Sequence, residues 1–330
     1  MKDPLRQFLT GILLLAVATM LAFAPDAWVP MMARSFMLQW SCILAMVALV
    51  TMWRKAWTIT ACALGGMLLL SAQVRQPPMA SSDPSGKPQL RLLHMNVLQT
   101  NTRHAEILAV ALASDADIIS VQEVDHRWAE WLSEGLSDAY PYHVIEPRTN
   151  CYGIALFSRI PLEYARVIVS QGAPFIEASL TVDDRRVRLF AVHTTSPGSY
   201  GHFLRRNAQL VELAGMIQEQ DAPAMVIGDL NTVPWDRAFG RFCRSTATRT
   251  ATTTNSRTWP VFGPLALIPL DHLLVSEAFM ITSMNTVELP GSDHRGLLAD
   301  VALRTDTRPA GSMATLGIKG GRANAHKAAH

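Results

Sequence analysis

The 330 residues suffice for one large domain or two ordinary ones. A formal net charge of +2 excludes the global excess of one sign that advertises a polyanionic partner. The four cysteines say little: an oxidising compartment would permit a Cys151–Cys243 pair, and free buried thiols fit the sequence as well.

The apolar excess lies before Arg75, in three runs from Phe8 to Phe23, Phe36 to Trp53 and Trp57 to Val74. Each approaches the roughly 18 to 20 residues that a helix needs to cross a bilayer core. None contains Asp, Glu, Lys or Arg. Residues 1–74 are therefore expected to form a membrane anchor of three transmembrane helices, with the lipid bilayer as partner through residues 8–74. Lys2, Arg6 and the stretch Ala22-Phe23-Ala24 resemble a signal peptide with its cleavage site, whereas Pro25 favours a retained helix. Arg54 and Lys55 form the tight link between the second and third runs, flanked by Trp53 and Trp57. The positive-inside rule places that link in the cytoplasm; Lys2 and Arg6 agree, Arg34 and Arg75 mildly object. The expectation is a multi-pass protein of the cell membrane with everything after Val74 on the extracytoplasmic side.

Residues 75–89, RQPPMASSDPSGKPQ, are Pro- and Ser-rich and predict an extended tether. From Arg304 onward Gly, Ala and Lys dominate, which predicts a disordered tail over 304–330. Between them, residues 90–303 alternate. LRLLHMNV predicts a strand, HAEILAVALAS a helix, ADIISVQEV a buried strand and HRWAEWLSEGL a second helix. GIALFS and ARVIVS are strands, and FIEASLTV with RVRLFAVH is a hairpin turned by Asp183-Asp184. FLRRNAQLVELAGMIQEQ is a helix, and APAMVIGD, LDHLLVS and LLADVAL are strands. Helices interspersed among many strands, with no visible internal repeat, point to an α/β sandwich on one large core.

Polar residues stand at the ends of the apolar strands or in the loops beside them: Asn96, Glu123, His193, Asp229, Asn231, Asp271, Asp293 and His294. Taken singly, each has an ordinary explanation as a turn former, a strand-end carboxylate or a satisfied core histidine. As a set they are oxygen-rich and lack the Cys or three-His group that zinc prefers. Carboxylates and amides suit Mg²⁺ or Mn²⁺, and two histidines add charge stabilisation or proton transfer. That combination suits metal-assisted attack of water on a phosphoester.

The ordered motifs MNV, QEV, GIALFSRIPL, VHTTSP, GDLNTVPWD, IPLDHLLVS and GSDHRG resemble the endonuclease/exonuclease/phosphatase family, which includes deoxyribonuclease I-like nucleases, sphingomyelinases and inositol-phosphate phosphatases. The resemblance covers residues 90–303 and implies a four-layer αββα sandwich of two packed mixed sheets flanked by helices. It implies a divalent metal held by Glu123 with Asn96 and Asp293 nearby. It further implies that Asp229 orients the attacking water, Asn231 the phosphate, His193 the transition-state oxygens, and that His294 pairs with Asp271. The abasic-site endonucleases of the family carry a Lys soon after Gln-Glu, where this chain has Val124 and Asp125, and a Tyr where it has Cys151, with Tyr152 one position away. Abasic-site repair is disfavoured on those grounds. The substrate stays open among nucleic acid, phospholipid and small phosphoesters, and an inactive scaffold on the same fold is the alternative to an enzyme. The segment from Asp236 to Leu270 is the expected specificity element. Its five arginines suit a polyanion backbone, and Trp259, Phe262 and Leu265 suit lipid.

Overall fold

The alternation of buried strands with amphipathic segments is realised as two six-stranded mixed sheets packed face to face. A computed structural model describes residues 4–74 and 89–304, apart from positions 251 and 254. The predicted tether (all but Gln89) and the predicted disordered tail beyond Arg304 lie outside the described residues.

The first sheet is ordered β13 (Phe279–Glu288), β14 (Arg295–Leu303), β1 (Leu90–Asn96), β2 (Ile118–Gln122), β4 (Ile154–Ser158) and β3 (Tyr142–Glu146). The second is ordered β5 (Tyr164–Ser170), β6 (Ala173–Val182), β7 (Arg185–His193), β8 (Ala224–Asp229), β12 (Asp271–Ser276) and β9 (Thr248–Thr250). Alternate side chains divide the layers. Leu92, Ile118 and Leu156 meet Ile176, Leu189, Ile227 and Leu273 between the sheets. Leu93, Met95, Ile119 and Val121 face outward, under α5 (His104–Ala113) and α6 (His126–Leu136). Phe190, Val192, Val226 and Leu274 face outward on the other side, under α7 (Tyr200–Gln218) and α8 (Arg237–Thr246). The expected layering of helices, two mixed sheets and helices is therefore present.

Local chemistry sets the element ends. Asp125 caps α6 by accepting the Trp128 N–H at 2.7 Å, and Ser199 caps α7 through the His202 N–H. Asp183 and Asp184 both have positive φ (46° and 59°), the demand of the tight turn predicted between β6 and β7.

Two parallel pairs position the site. β1 with β2, and β7 with β8, run parallel, and each pair is flanked by antiparallel neighbours. The carboxyl ends of all four strands thus emerge at one edge. β12 begins there, its Asp271 opposite Asp229, and β14 begins beside the end of β1. Gly228 is required at this edge: at φ 151°, a Cβ would lie 1.8 Å from the Val192 carbonyl oxygen.

The N-terminal unit departs from the expected three transmembrane helices. Among the described residues one helix, α1 (Pro4–Phe23), is by itself long and apolar enough to cross a membrane. The second run forms α3 (Met37–Trp53), preceded by an unpredicted short helix, α2 (Trp28–Ser35), with a 64° bend between them; the pair makes one broken span at most. α4 (Trp57–Gln73) has 17 residues, as does α3, and 17 residues rise only about 25 Å. The runs measure composition, but backbone breaks set helix length. Lys55 at φ 57° separates α3 from α4, and the Phe36 N–H turns back to the Ala33 carbonyl at the bend. Inside the unit the buried positions are mostly small (Gly11, Ala18, Ala22, Ala48, Ala63 and Gly66), while Leu9, Leu13, Met46, Leu49 and Leu68 point outward.

Candidate active site

Four strand ends and two loops converge at the shared edge. Asn96 closes β1; its Nδ2 donates to Glu123 Oε1 and to Asp229 Oδ2, both at 3.2 Å. Glu123 follows β2 at φ 67°, and its Oε2 accepts the Gln99 N–H at 3.0 Å. Burial pushes the Glu123 carboxyl up, against those two hydrogen bonds. Ser292 Oγ donates to the Asn96 carbonyl at 2.7 Å and accepts the His294 N–H, so the GSDHRG loop is tied to the end of β1.

Asp271 is fully buried and clamps two histidines from opposite directions. Its Oδ1 meets His94 Nε2 at 2.6 Å, and its Oδ2 meets His294 Nδ1 at 2.9 Å. Burial alone would raise this carboxyl, but the charge of His294 and the two hydrogen bonds hold it far below the ordinary range. Burial likewise opposes the charge on His294, yet the Asp271 carboxylate lifts it to about 10. The opposite happens at His193, at the end of β7. Burial, reinforced by the positive His294, lowers it to about 3. One histidine is thus a cation and its neighbour a neutral imidazole.

Both rings face Asp229. His193 Nε2 and His294 Nε2 each lie 3.7 Å from Asp229 Oδ2. Burial first, then the Asp271 carboxylate, pushes Asp229 up to about 8. Its Oδ1 accepts the Asn231 N–H at 2.8 Å, and Asn231 Nδ2 donates to the Thr194 carbonyl at 2.9 Å. All eight residues predicted from the sequence therefore converge, with Asp293 bound through Oδ2 to Trp259 Nε1 at 2.9 Å.

Two donor sets could hold a cation. Asp229, Asp271 and His294 bring ligand atoms within 4.8 Å of one another. Asp271 is held between two histidines, Oδ1 to His94 and Oδ2 to His294, whereas the oxygens of Glu123 accept only uncharged N–H groups, from Asn96 and Gln99. Glu123, Asn96 and Asp293 fit a hard divalent ion better. Glu123 is a desolvated carboxyl in need of positive charge, and Asp293 Oδ1 is buried without a hydrogen-bond partner among the described residues.

Glu123, His193, Asp229, Asn231, Asp293 and His294 line a cavity of about 430 Å³ together with the apolar Met32, Phe36, Trp259, Ile268 and Leu270. The family model of the endonuclease/exonuclease/phosphatase family matches residues 91–294. The chain belongs to this family. Family members are hydrolases acting on phosphoester bonds, and so is this protein. No curated protein matches the sequence. Among solved structures, D. rerio TDP2 complexed with single strand DNA product is 16% identical with a TM-score of 0.54, covering 64% of this chain and 98% of that one. The human Nocturnin catalytic domain with bound sulfate is 21% identical at TM-score 0.53, covering 69% and 100%. A mannosyl-6-phosphatase from Bacteroides thetaiotaomicron is 16% identical at TM-score 0.53, covering 65% and 100%. At these identities the likeness shows the shared fold alone.

Sequence reasoning missed three contributors. His94 lies two residues before Asn96 and so on the same strand face, which was the available signal. Tyr152 rests against His193 with ring centroids 5.4 Å apart, while Cys151 lines the cavity as a free thiol; Cys243 is free and lies on the buried face of α8. The third is the α2 segment. The expected specificity segment is ordered as α8, β9 and a hairpin of β10 (Trp259–Phe262) and β11 (Leu265–Ile268). Within it Arg241 pairs with Asp26 and Arg249 with Glu277.

Proposed function

We propose that the protein is a membrane-anchored, Mg²⁺- or Mn²⁺-dependent phosphodiesterase that hydrolyses its substrate with activated water. The observation that carries this reading is the facing of two histidines, His193 and His294, on the Asp229 carboxyl, with Asp271 fixing His294 from behind. Glu123, Asn96 and Asp293 would hold the ion, which when bound supplies positive charge to the phosphoryl and leaving oxygens. The ionised Asp229 accepts the proton of the attacking water; burial and the Asp271 carboxylate make it more basic, and the charge of a bound ion would favour the ionised form near neutral pH. The new bond joins the water oxygen to phosphorus as the bond to the leaving ester oxygen breaks. His294 presents fixed positive charge to the phosphoryl oxygens, and His193 presents a neutral N–H to the same group. Asn231 Nδ2 has a second proton free for a phosphate oxygen beyond the one it gives Thr194.

The anchor reading is supported by an inside-out pattern in the N-terminal unit. Small residues are buried between helices, large apolar ones face outward, and Thr51 Oγ1 bonds Thr60 Oγ1 across α3 and α4 at 2.9 Å. Helix packing within lipid follows those rules. Arg54 and Lys55 occupy the α3–α4 turn, while the α1–α3 connection touches the catalytic domain. The positive-inside rule then puts the turn in the cytoplasm and the domain outside it.

The purified full chain should hydrolyse bis-p-nitrophenyl phosphate with Mg²⁺ or Mn²⁺ and stop on chelation. Turnover that ignores chelation would overturn the metal-dependent reading. A reporter fused after Gln89 that works only in the cytoplasm would overturn the topology.

A further inference from the structure

Part of the cavity wall comes from outside the sheets. Met32, Ser35 and Phe36 belong to α2 and its junction with α3, yet they line the same cavity as Glu123, His193 and Asp229. Side-chain bonds hold this connection against the loops that carry the catalytic groups. Trp28 Nε1 donates to the Pro197 carbonyl at 2.7 Å, just past His193. Trp235, in the loop that follows Asn231, donates from Nε1 to the Arg34 carbonyl at 2.9 Å. Gln39 Nε2 donates to the Leu267 carbonyl at 2.8 Å, and Arg241 Nη2 to Asp26 Oδ2 at 2.7 Å. Phe36 itself packs with Val233, Trp235, Ile268 and Leu270.

We infer that the α1–α3 connection is a substrate-binding wall of the active site, and that the substrate is an amphiphilic phosphodiester drawn from the membrane. Its phosphate meets His193, Asp229 and His294, while its apolar part lies along Met32, Phe36, Ile268 and Leu270. This inference rests on the phosphodiesterase reading and adds the substrate class to it.

Two features favour a lipid over a nucleic acid. Among the described residues no Lys or Arg lines the cavity, whereas proteins that track a nucleic-acid backbone neutralise phosphates with those residues. The elements that wall the cavity instead expose apolar side chains: α2 exposes Val29 and the cavity-lining Met32, and Phe23 is exposed at the end of α1. On the hairpin side Phe262 and Leu265 are 62% and 64% exposed at the tip of β10–β11. Exposed aromatic and aliphatic side chains on these two elements suit the headgroup boundary of a bilayer.

The test uses the full chain in dodecyl maltoside micelles with Mg²⁺ and three probes: bis-p-nitrophenyl phosphate, a diacylglyceryl p-nitrophenyl phosphodiester, and a single-stranded DNA oligonucleotide. The inference expects kcat/KM for the diacyl probe to exceed that for the small diester by about ten-fold or more, the scale set by apolar contacts in a pocket. The double variant Met32→Ser with Phe36→Ser should lower the ratio of the two by about ten-fold, mainly through KM for the diacyl probe. An independent readout on the unaltered chain is a diacyl phosphonate carrying a diazirine in its acyl chain, which should label residues 28–36 and the β10–β11 hairpin. Equal kcat/KM for the diacyl and small diesters, preferred cleavage of DNA, or labelling confined to other surfaces would each overturn the inference while leaving the phosphodiesterase reading intact. Failure to cleave any of the three probes would instead remove the reading on which the inference stands.

Discussion

Asp271 is the residue through which the two sheets share one charge, and Asp271→Asn perturbs that charge with little change in shape. Against burial, the Asp271 carboxylate, with smaller help from Asp229 and Asp293, lifts His294 in the native protein from the ordinary 6.5 to about 10. That displacement corresponds to roughly 5 kcal/mol of preference for the imidazolium. An amide cannot supply it, so His294 in the variant should be neutral at pH 7, and the positive charge offered to the phosphoryl oxygens is lost. The amide also cannot accept from both His94 and His294 through two oxygens, as the carboxylate does. Loss of the orienting carboxylate behind a catalytic histidine typically costs about 10⁴ in turnover. A fall of about 10³- to 10⁴-fold is expected with bis-p-nitrophenyl phosphate at saturating Mg²⁺. Proton NMR of the ion-free protein supplies the second readout. His294 should remain charged up to about pH 10 in the native chain and lose its proton near or below neutral pH in the variant. Because its folded value is raised, its contribution to stability is whole below about pH 6.5 and is lost as pH rises through about 10. That alkaline slope should vanish in the variant. A His294 still charged at pH 8 in Asp271→Asn, or turnover within ten-fold of the native chain, would refute the reasoning.

Glu123→Gln should weaken ion binding while the fold persists, with activity partly recovered at high Mg²⁺ or Mn²⁺; calorimetric titration showing native affinity would make Glu123 a strand-end carboxylate only. Glu177→Gln should destabilise the domain by about 3–5 kcal/mol at pH 7, because it leaves the fully buried Arg188 without its carboxylate. The Glu177 carboxyl is held low by Arg188 and Arg166 despite burial, so its contribution is present above about pH 4.5 and lost as pH falls further; denaturant curves of variant and native chain should converge below that pH. Gly228→Ala forces a Cβ against the Val192 carbonyl and should cost about 3 kcal/mol or more in thermal unfolding.

The strand ends of the catalytic domain were legible because their polar residues interrupt apolar runs in a fixed order. The GDLN stretch also settles an apparent choice between turn and site. The Asn231 N–H bonds Asp229 Oδ1, so the turn exists, and it is the device that aims the other carboxylate oxygen at the two histidines. His94 was hidden because its partner Asp271 belongs to the other sheet, and no local period links the two. β3 and β13 are half-exposed and lack a clean alternation, so their sequences carry little strand signal. α2 is eight residues long, contains Pro30, and is fixed by contacts with Pro197 and Trp235 rather than by its own pattern. The anchor was legible as apolar composition, while helix lengths depended on the backbone breaks at Phe36 and Lys55.

Asp229→Asn tests the central claim most directly. Asn keeps the acceptor for the Asn231 N–H and removes a buried carboxyl that burial already disfavours. The account predicts a protein as stable as the native chain or more so, binding Mg²⁺ with unchanged affinity, and hydrolysing bis-p-nitrophenyl phosphate about 10²- to 10⁴-fold more slowly. A folded, ion-binding variant that turns over within a few-fold of the native chain would show that Asp229 only shapes a turn, and would contradict the account.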